Sequence, residues 1–481
     1  MSQKRKVIVI GAGPAGLTAA YELSKDSNLK VIVYEEAGEL GGMCKSLTLW
    51  DCIVDLGPHR FFSNDTRVNK LWLEVVKNNY QMVLRQTRIL YKKKLFSYPI
   101  APFNALKNLG IFTAIECVFS YFQEKLFPTK PDGSFESWVT SRFGKKLYSI
   151  FFKDYSEKLW GINCKDLDAD FASQRIKKFS FMSVLVGFFK NNKKCHKTLV
   201  DEFAYPISGT GNVYETMGDE IKKRGGEICL NQKVKGVVLN ADKTVQGVLL
   251  NDGQTVDAAD IVISTMPLTN LLKGLAGIPE EVQKSNANLK YRSTILVYLK
   301  IAGKDLFTDN WLYIQEPELQ MGRVTNFRNW TTSLYKGHDF TILALEYWCN
   351  TGDAFWDLED QEYINLAKQE ILTTPLLKGS EVLDGYVFKI PKSYPVYSKG
   401  YKSYLVQVEN YLKTIPNLYC IGRNGSFKYN NQDHSILMGW MCAQNIAEGK
   451  DYNLWEINTD YDSYQESSLI TETGLVSKKG F

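Results

Sequence analysis

Apolar and polar positions along the chain alternate between two periods, and the switches between them mark out the elements. Lys6-Val7-Ile8-Val9-Ile10 is a β-branched apolar run that stops at Gly11-Ala12-Gly13-Pro14-Ala15-Gly16. Helical spacing follows through Leu17, Tyr21 and Leu23, which predicts strand, tight turn and helix. Lys30 to Tyr34 repeats the strand pattern and ends at Glu35, and Cys52 to Leu56 alternates as a further strand broken by Gly57-Pro58. From Leu71 to Phe127 the spacing is helical and rich in aromatics, with breaks at Tyr98-Pro99 and Pro102. Pro128 and Pro131 mark a linker, and a second helical stretch runs from Phe135 to Phe151, ending at Tyr155 to Gly161.

Short strands then return. Tyr205-Pro206 and Gly209-Thr210-Gly211 form a turn before a helix to Lys223, and strands follow at Val234 to Val238 and Val245 to Leu250, with a hairpin turn at Asp252-Gly253. Ala259 to Pro267 is a buried strand ending in a proline turn. Arg292 to Tyr397 alternates as several aromatic-rich strands, among them Ile295 to Leu299, Arg323 to Phe327 and Ile342 to Trp348, which suggests an antiparallel sheet. Leu418 to Arg423 is a last strand ending at a glycine, a helix follows from about Ser435 to Ala447, and the tail beyond Asn453 is polar and expected to be loosely held. No internal repeat or low-complexity stretch is visible.

This alternation indicates an α/β fold: a Rossmann-type dinucleotide-binding domain interleaved with a helical insertion and an antiparallel-sheet substrate domain. The expected division is 1–75, 201–275 and 406–450 for the dinucleotide-binding domain, 76–200 for the helical insertion, 276–405 for the sheet domain and 451–481 for a C-terminal tail.

The glycine cluster carries the first chemistry. Gly11 would permit the turn, Gly13 the approach of a pyrophosphate, and Gly16 close helix–strand packing, while the helix N-terminus behind Pro14 and Ala15 directs free N–H groups at the phosphates. Glu35, about twenty residues beyond the last glycine, is placed for a ribose. The further pair Gly41-Gly42 favours FAD as the dinucleotide. His59, one of only 4 histidines, follows the Gly57-Pro58 turn, where a neutral imidazole could donate to a flavin or shift its redox state; a structural role is the alternative. Tyr155 and Trp160 lie at a helix end, where flat rings could stack on a base, although aromatics at helical spacing commonly belong to a core.

Composition narrows the partners. The formal charge of +5 over 481 residues gives no case for nucleic acid and suits an anionic small substrate. The 9 scattered cysteines contain no CxxC pair and fit reduced thiols in a cytoplasmic protein, and no metal site is expected. A strand within the first ten residues argues against a signal peptide. No apolar run approaches the roughly twenty residues of a bilayer span. The longest are Phe112 to Phe122, interrupted by Glu116, and Phe179 to Phe189, flanked by Lys177, Lys178, Lys190, Lys193 and Lys194. Peripheral membrane contact through the second is one reading, an ordinary helix with solvated ends the other. An oligomer is compatible with everything above.

The motifs together resemble the UDP-galactopyranose mutases, within the wider FAD superfamily that also holds protoporphyrinogen oxidases and amine oxidases. Gly57-Pro58-His59 is similar to that family's histidine turn beside the flavin, and Phe151 to Gly161 to its substrate helix, which implies uridine contacts for Phe152, Tyr155 and Trp160. Arg175 falls where the family's mobile loop carries a diphosphate-binding arginine. Gly322-Arg323-Val324-Thr325 resembles a strand whose arginine lies near flavin and substrate, and Gly422-Arg423 with Lys428-Tyr429 resembles the diphosphate clamp. The resemblance thus implies catalytic roles for His59, Arg175, Arg323, Arg423 and Tyr429. FAD contacts extend to Gly57, Gly422, Arg423, Asp433, His434 and Ser435, and substrate contacts to Tyr394. Arginine supplies the planar, permanently charged donors that a diphosphate requires. Asn431 replaces the family's acidic residue after the clamp tyrosine, and Asn326-Phe327 stands where it has a glutamate–histidine pair, so a different sugar or a different reaction is implied. Asp433 and His434 would restore polar contacts, with a helix N-cap as the alternative for Asp433.

The resemblance implies an FAD-dependent pyranose/furanose ring mutase of a nucleoside-diphosphate sugar in surface glycan biosynthesis, with reduced flavin as nucleophile at the anomeric carbon. An FAD-dependent oxidase or dehydrogenase on a lipid or glycan-linked substrate is the competing expectation, and a flavin-binding protein without catalysis a third.

Overall fold

The computed structural model describes residues 4–98, 102–176 and 202–458, except the side chains of 102, 103, 106 and 173–176. Arg5–Ile10 (β1) and Leu29–Tyr34 (β2) pair in parallel, with Val7 opposite Val31 and Ile10 opposite Tyr34. Between them Pro14–Leu23 (α1) starts with proline in its first turn, where a missing N–H costs nothing. Glu227–Cys229 adds to one side, and Ile261–Ser264 and then Leu418–Cys420 to the other, completing a five-stranded parallel sheet from segments distant in the chain. All its connections are crossovers, so β1 and β2 are buried on both faces and read as unbroken apolar runs. Helix Gln432–Glu448 closes over α1 at small residues: a Cβ on Gly439 would lie 2.4 Å from the Ala15 carbonyl.

The second sheet has seven strands. Lys290–Ala302, Trp311–Ile314, Arg323–Asn326, Phe340–Cys349 and Val382–Val396 pair antiparallel among themselves, as the alternation indicated. Along Lys290–Ala302, Ile295, Val297 and Leu299 pack towards helix Asp360–Leu372, whereas Leu296 and Tyr298 face strands Cys52–Asp55 and Glu202–Pro206. Period-two alternation thus feeds two cores, not one core and solvent.

Several sequence expectations are corrected. The aromatic stretch beyond Leu71 is helical only over Thr66–Val76, Pro102–Leu109 and Ile111–Leu126. Between them Tyr80–Leu84, Thr87–Tyr91 and Lys94–Ser97 are strands. The last two extend the seven-stranded sheet, Thr87–Tyr91 joining Trp311–Ile314 in parallel, so tertiary pairing overrides the local periodicity of the insertion. The stretch from Phe135 is not one helix: Gly144, at φ +82°, separates Phe135–Phe143 from Lys145–Tyr148, and a π-helical turn at Ser149–Lys153 precedes Asp154–Trp160. The tail is held as far as it is described, because the buried ammonium of Lys428 donates to the carbonyls of Trp455 and Ile457. Among the described residues no helix is long and apolar enough to cross a membrane. Phe179 to Phe189 lies outside the described residues.

Candidate functional site

A cavity of about 680 Å³ runs from Glu35 and the glycine turn, past His59, to Arg323, Tyr394 and Tyr429. At its first end each glycine has a separate physical reason. Gly11 sits at φ +96°, and a Cβ there would lie 2.2 Å from Thr265 Oγ1; one on Gly16 would lie 2.0 Å from the Gly11 carbonyl. A Cβ on Gly13 meets nothing closer than Gly42 Cα at 3.9 Å, so the space it leaves opens to the cavity and not to protein. Gly41 donates its N–H to the Ala12 carbonyl at 2.8 Å, which folds the second glycine pair against the first. Glu35 is anchored by N–H donors from Ala12 (2.6 Å) and Ala37 (2.9 Å) while still lining the cavity. A cradle closed by two glycine turns, a ten-residue helix aimed at it and a fixed carboxylate at its edge fit the diphosphate and ribose of FAD.

Midway stands His59. Its backbone carbonyl accepts from Thr210 Oγ1 (3.2 Å) and Gln432 Nε2 (3.1 Å), while its Nδ1 is buried with no partner among the described residues. Burial, reinforced by the Arg423 and Arg323 charges, pushes the imidazole down to about 3, so it is neutral at physiological pH. The turn before it rests on a buried carboxylate: Asp55 accepts from Ser46 Oγ (2.6 Å), Tyr205 Oη (2.8 Å) and both the N–H and hydroxyl of Thr210 (3.1 and 2.8 Å). Opposite, Gly422, Asp433 and Ser435 line the cavity; His434 does not. Burial pushes the Asp433 carboxyl up, with His434 opposing. The N-cap of helix Gln432–Glu448 is Asn431, in a reciprocal capping box with His434, so the capping role considered for Asp433 belongs two residues earlier.

At the far end half-buried Arg323 and buried Glu346, cross-strand neighbours, form a bidentate pair (Nε–Oε1 2.6 Å, Nη2–Oε2 2.5 Å). Burial alone would push the guanidinium down; Glu346 outweighs it and holds Arg323 well above its ordinary value. Arg423 donates to the carbonyls of Asn430 (2.8 Å) and Ser393 (3.3 Å), and lies 5.2 and 5.3 Å from the ring centres of Tyr394 and Tyr429. Those two tyrosines stack at 5.3 Å, and burial pushes the Tyr394 hydroxyl up to about 12, so it stays protonated as a donor.

The structure thus brings His59, Arg323, Tyr394, Arg423, Tyr429 and Asn431 to one cavity, and separates others from it. Asn326 is fully buried, capping the turn after its strand by accepting from Arg328 N (3.1 Å) and donating to the Phe307 carbonyl (3.4 Å); it does not face the cavity. Trp160 is 1% exposed and packs edge-on against Phe171 and Tyr429, behind the site. Phe152 stacks on Phe143 outside the lining. Tyr155 stands edge-on to Tyr313, which does line the cavity, at 5.6 Å. Gly16, Gly41 and Gly57 support the walls without lining them, and the Arg175 side chain lies outside the described residues. Sequence reasoning missed Glu346 and Gln432. A carboxylate inside the apolar run Ile342 to Trp348 was the available signal for the first, since a buried charge needs a partner. Gln432, which receives Tyr214 Oη at 3.0 Å and donates to the Arg60 carbonyl at 2.9 Å, carried no local signal.

Known proteins place this architecture. The chain aligns with dTDP-fucopyranose mutase of Escherichia coli at 25% identity over 194 residues, 37% of this chain and 47% of that protein. A probable UDP-galactopyranose mutase of Klebsiella pneumoniae matches at 26% over 191 residues, 37% and 46% respectively, so the alignment spans just under half of either relative. In structure the chain is similar to a reduced UDP-galactopyranose mutase (TM-score 0.82, 22% identity, 95% of this chain and 100% of that one). It is also similar to a putative protoporphyrinogen oxidase from Exiguobacterium sp. 255-15 (TM-score 0.72, 15% identity, 94% and 100%), and both likenesses concern the fold. The model of the flavin-containing amine oxidoreductases matches residues 14–374, most of the chain and much of the cavity wall. The chain belongs to the flavin-containing amine oxidoreductase family, with FAD as its cofactor.

Proposed function

We propose that this protein is an FAD-dependent ring mutase that interconverts the pyranose and furanose forms of a nucleoside-diphosphate sugar, in cytoplasmic steps of surface glycan synthesis. The observation that carries this reading is the convergence of Arg423, the Tyr394–Tyr429 stack and neutral His59 on the far end of the FAD cavity. The FAD-binding domain would comprise 1–75, 201–275 and 406–450, with 76–200 and 276–405 forming the substrate side. Gly11, Gly13, Gly42 and Glu35 would hold the adenosine diphosphate portion, and His59, Gly422, Asp433 and Ser435 would flank the isoalloxazine.

When bound and reduced, FAD supplies a nucleophilic ring nitrogen for the anomeric carbon. The protein's own contribution is positioning and charge. Arg423 has two nitrogens committed to carbonyls and sulfur, and its Nη2 makes no hydrogen bond among the described residues, so it can meet a diphosphate oxygen as negative charge grows on the leaving group. Tyr394 and Tyr429 would donate hydroxyls to the same group. His59, uncharged, can donate or accept at the flavin edge without adding charge to it. Arg175 would close over the diphosphate, an assignment that rests on the sequence. Dithionite-reduced protein incubated with UDP- and dTDP-hexoses should interconvert ring forms, and Arg423→Ala should abolish nucleotide-sugar binding. Intact reduced FAD with no ring interconversion on any nucleotide sugar defeats the proposal.

One observation favours a second reading. Both donor edges used by Arg323 are occupied by Glu346, which neutralises a charge a diphosphate would otherwise meet. A less anionic substrate, oxidised by FAD, fits that end of the cavity. Substrate-dependent bleaching of oxidised FAD distinguishes this reading from a mutase.

A further inference from the structure

Helix Ile111–Leu126 is turned the wrong way round for a globular protein. Its inward residues are Cys117, Tyr121 and Glu124, while Ile111, Phe112, Ile115, Phe119, Phe122 and Leu126 are between 49% and 82% exposed. At about 100° per residue these six fall within an arc of roughly 100°, a continuous apolar stripe along four turns. Scattered exposed apolar residues are ordinary, but a contiguous aromatic stripe marks a docking surface.

Charge around the stripe identifies its occupant. The hairpin carrying Lys92 and Lys93 is tied to the helix pair through Lys94 Nζ on the Asn108 carbonyl (2.9 Å) and Asn108 Nδ2 on the Leu95 carbonyl (3.0 Å). Lys107 precedes the helix, Lys125 lies on it with its ammonium on the Ser141 carbonyl (3.2 Å), and Lys145 follows in a helix packed against it; all five lysines are exposed, and although the Lys92 and Lys93 N–H groups donate to the Glu316 carboxylate, none of the five ammonium groups pairs with a carboxylate among the described residues. The helix's own acids are silenced. Glu116 is paired with Lys146 at 2.6 Å, and Glu124 turns inward to accept from the Thr129 N–H (2.6 Å) and hydroxyl (2.9 Å).

We propose that this face docks on an anionic lipid bilayer, with the stripe inserted among the upper acyl chains and the lysine collar at the headgroups. Phenylalanine, leucine and isoleucine on one face and lysines beside it are what an interfacial helix requires. A second copy of the chain fits less well, because an isologous contact would set one lysine collar against the other.

The test is co-sedimentation of the full-length FAD-loaded protein with vesicles of phosphatidylcholine alone or mixed with phosphatidylglycerol. Binding should appear only with the anionic lipid, weaken with salt, and fall at least about tenfold in the double variant Phe112→Glu/Phe119→Glu. Flavin absorbance and melting temperature should stay unchanged in that variant, since both side chains are exposed. In a separate variant, Phe119→Trp, brominated lipid should quench more fluorescence than in the parent protein. Absence of vesicle binding, or equal binding by the double variant, overturns the proposal. So does a concentration-dependent dimer that the same substitutions convert to monomer while the introduced tryptophan stays unquenched.

Discussion

The two ends of the cavity are built by different means. At the glycine end the constraint is steric and local: within one turn, a Cβ is forbidden at Gly11 and Gly16 by protein atoms and left open at Gly13. At the arginine end the constraint is electrostatic and distributed, with Arg323, Glu346, Tyr394 and Arg423 arriving from four separate elements and Tyr429 from the loop that follows the last. A steric cradle is specific for one shape and tolerates almost no change. A network of paired charges can be retuned residue by residue, which is how one FAD scaffold serves different substrates.

Substitutions can separate these two logics. The largest loss is expected for Glu346→Ala, which leaves half-buried Arg323 without its counter-charge and should cost about 3 kcal/mol in urea unfolding, whereas Arg323→Met with Glu346→Leu should recover much of that stability. At the other end, Gly16→Ala should cost about 1–3 kcal/mol by driving a methyl into the Gly11 carbonyl. Gly13→Ala, a neighbour three residues away, should change apo stability by less than about 0.5 kcal/mol and yet lose bound flavin, measured as melting temperature against absorbance. Equal destabilisation by the two would show that the open space at Gly13 is not reserved for the cofactor.

Acidification sharpens the comparison further. His59 is held neutral down to about 3, far below the ordinary 6.5, so between those values the unfolded chain binds a proton that the folded chain refuses. Its contribution is therefore fully present above about 6.5 and is lost progressively as pH falls towards about 3; His59→Asn should flatten that part of the stability profile relative to the parent. A further modest cost lies at the margin of the site: Asn431→Ala should lose about 1 kcal/mol through the lost helix cap. If Asp433→Asn costs more than Asn431→Ala, the capping assignment fails.

The glycine end was legible because its function follows from backbone geometry within thirty or so residues: strand, turn, helix and acidic residue are consecutive, and their spacing is the message. The same holds for the strands of residues 290–396, where alternation was visible. It failed where partners are distant. Thr87–Tyr91 is a strand because Trp311–Ile314 lies beside it, and nothing in its own sequence announces that neighbour. Asn326 and Arg323 lie on one strand in motifs of equal apparent weight, yet Arg323 reaches the cavity and Asn326 is spent on backbone. Trp160 carried an aromatic signal that suits a stacking platform and a core equally, and packing put it in the core.

What the sequence alone determined, then, is the dinucleotide cradle and the alternation of layers, since φ angles, periodicity and turn chemistry are properties of neighbouring residues. Which side chains face the substrate, that Arg323 is already neutralised by Glu346, and that Ile111–Leu126 shows its apolar face to solvent were decided only by the tertiary structure. Each depends on what lies across a sheet or beyond a helix, and the cost of burying a charge or exposing an aromatic ring is set by that surrounding.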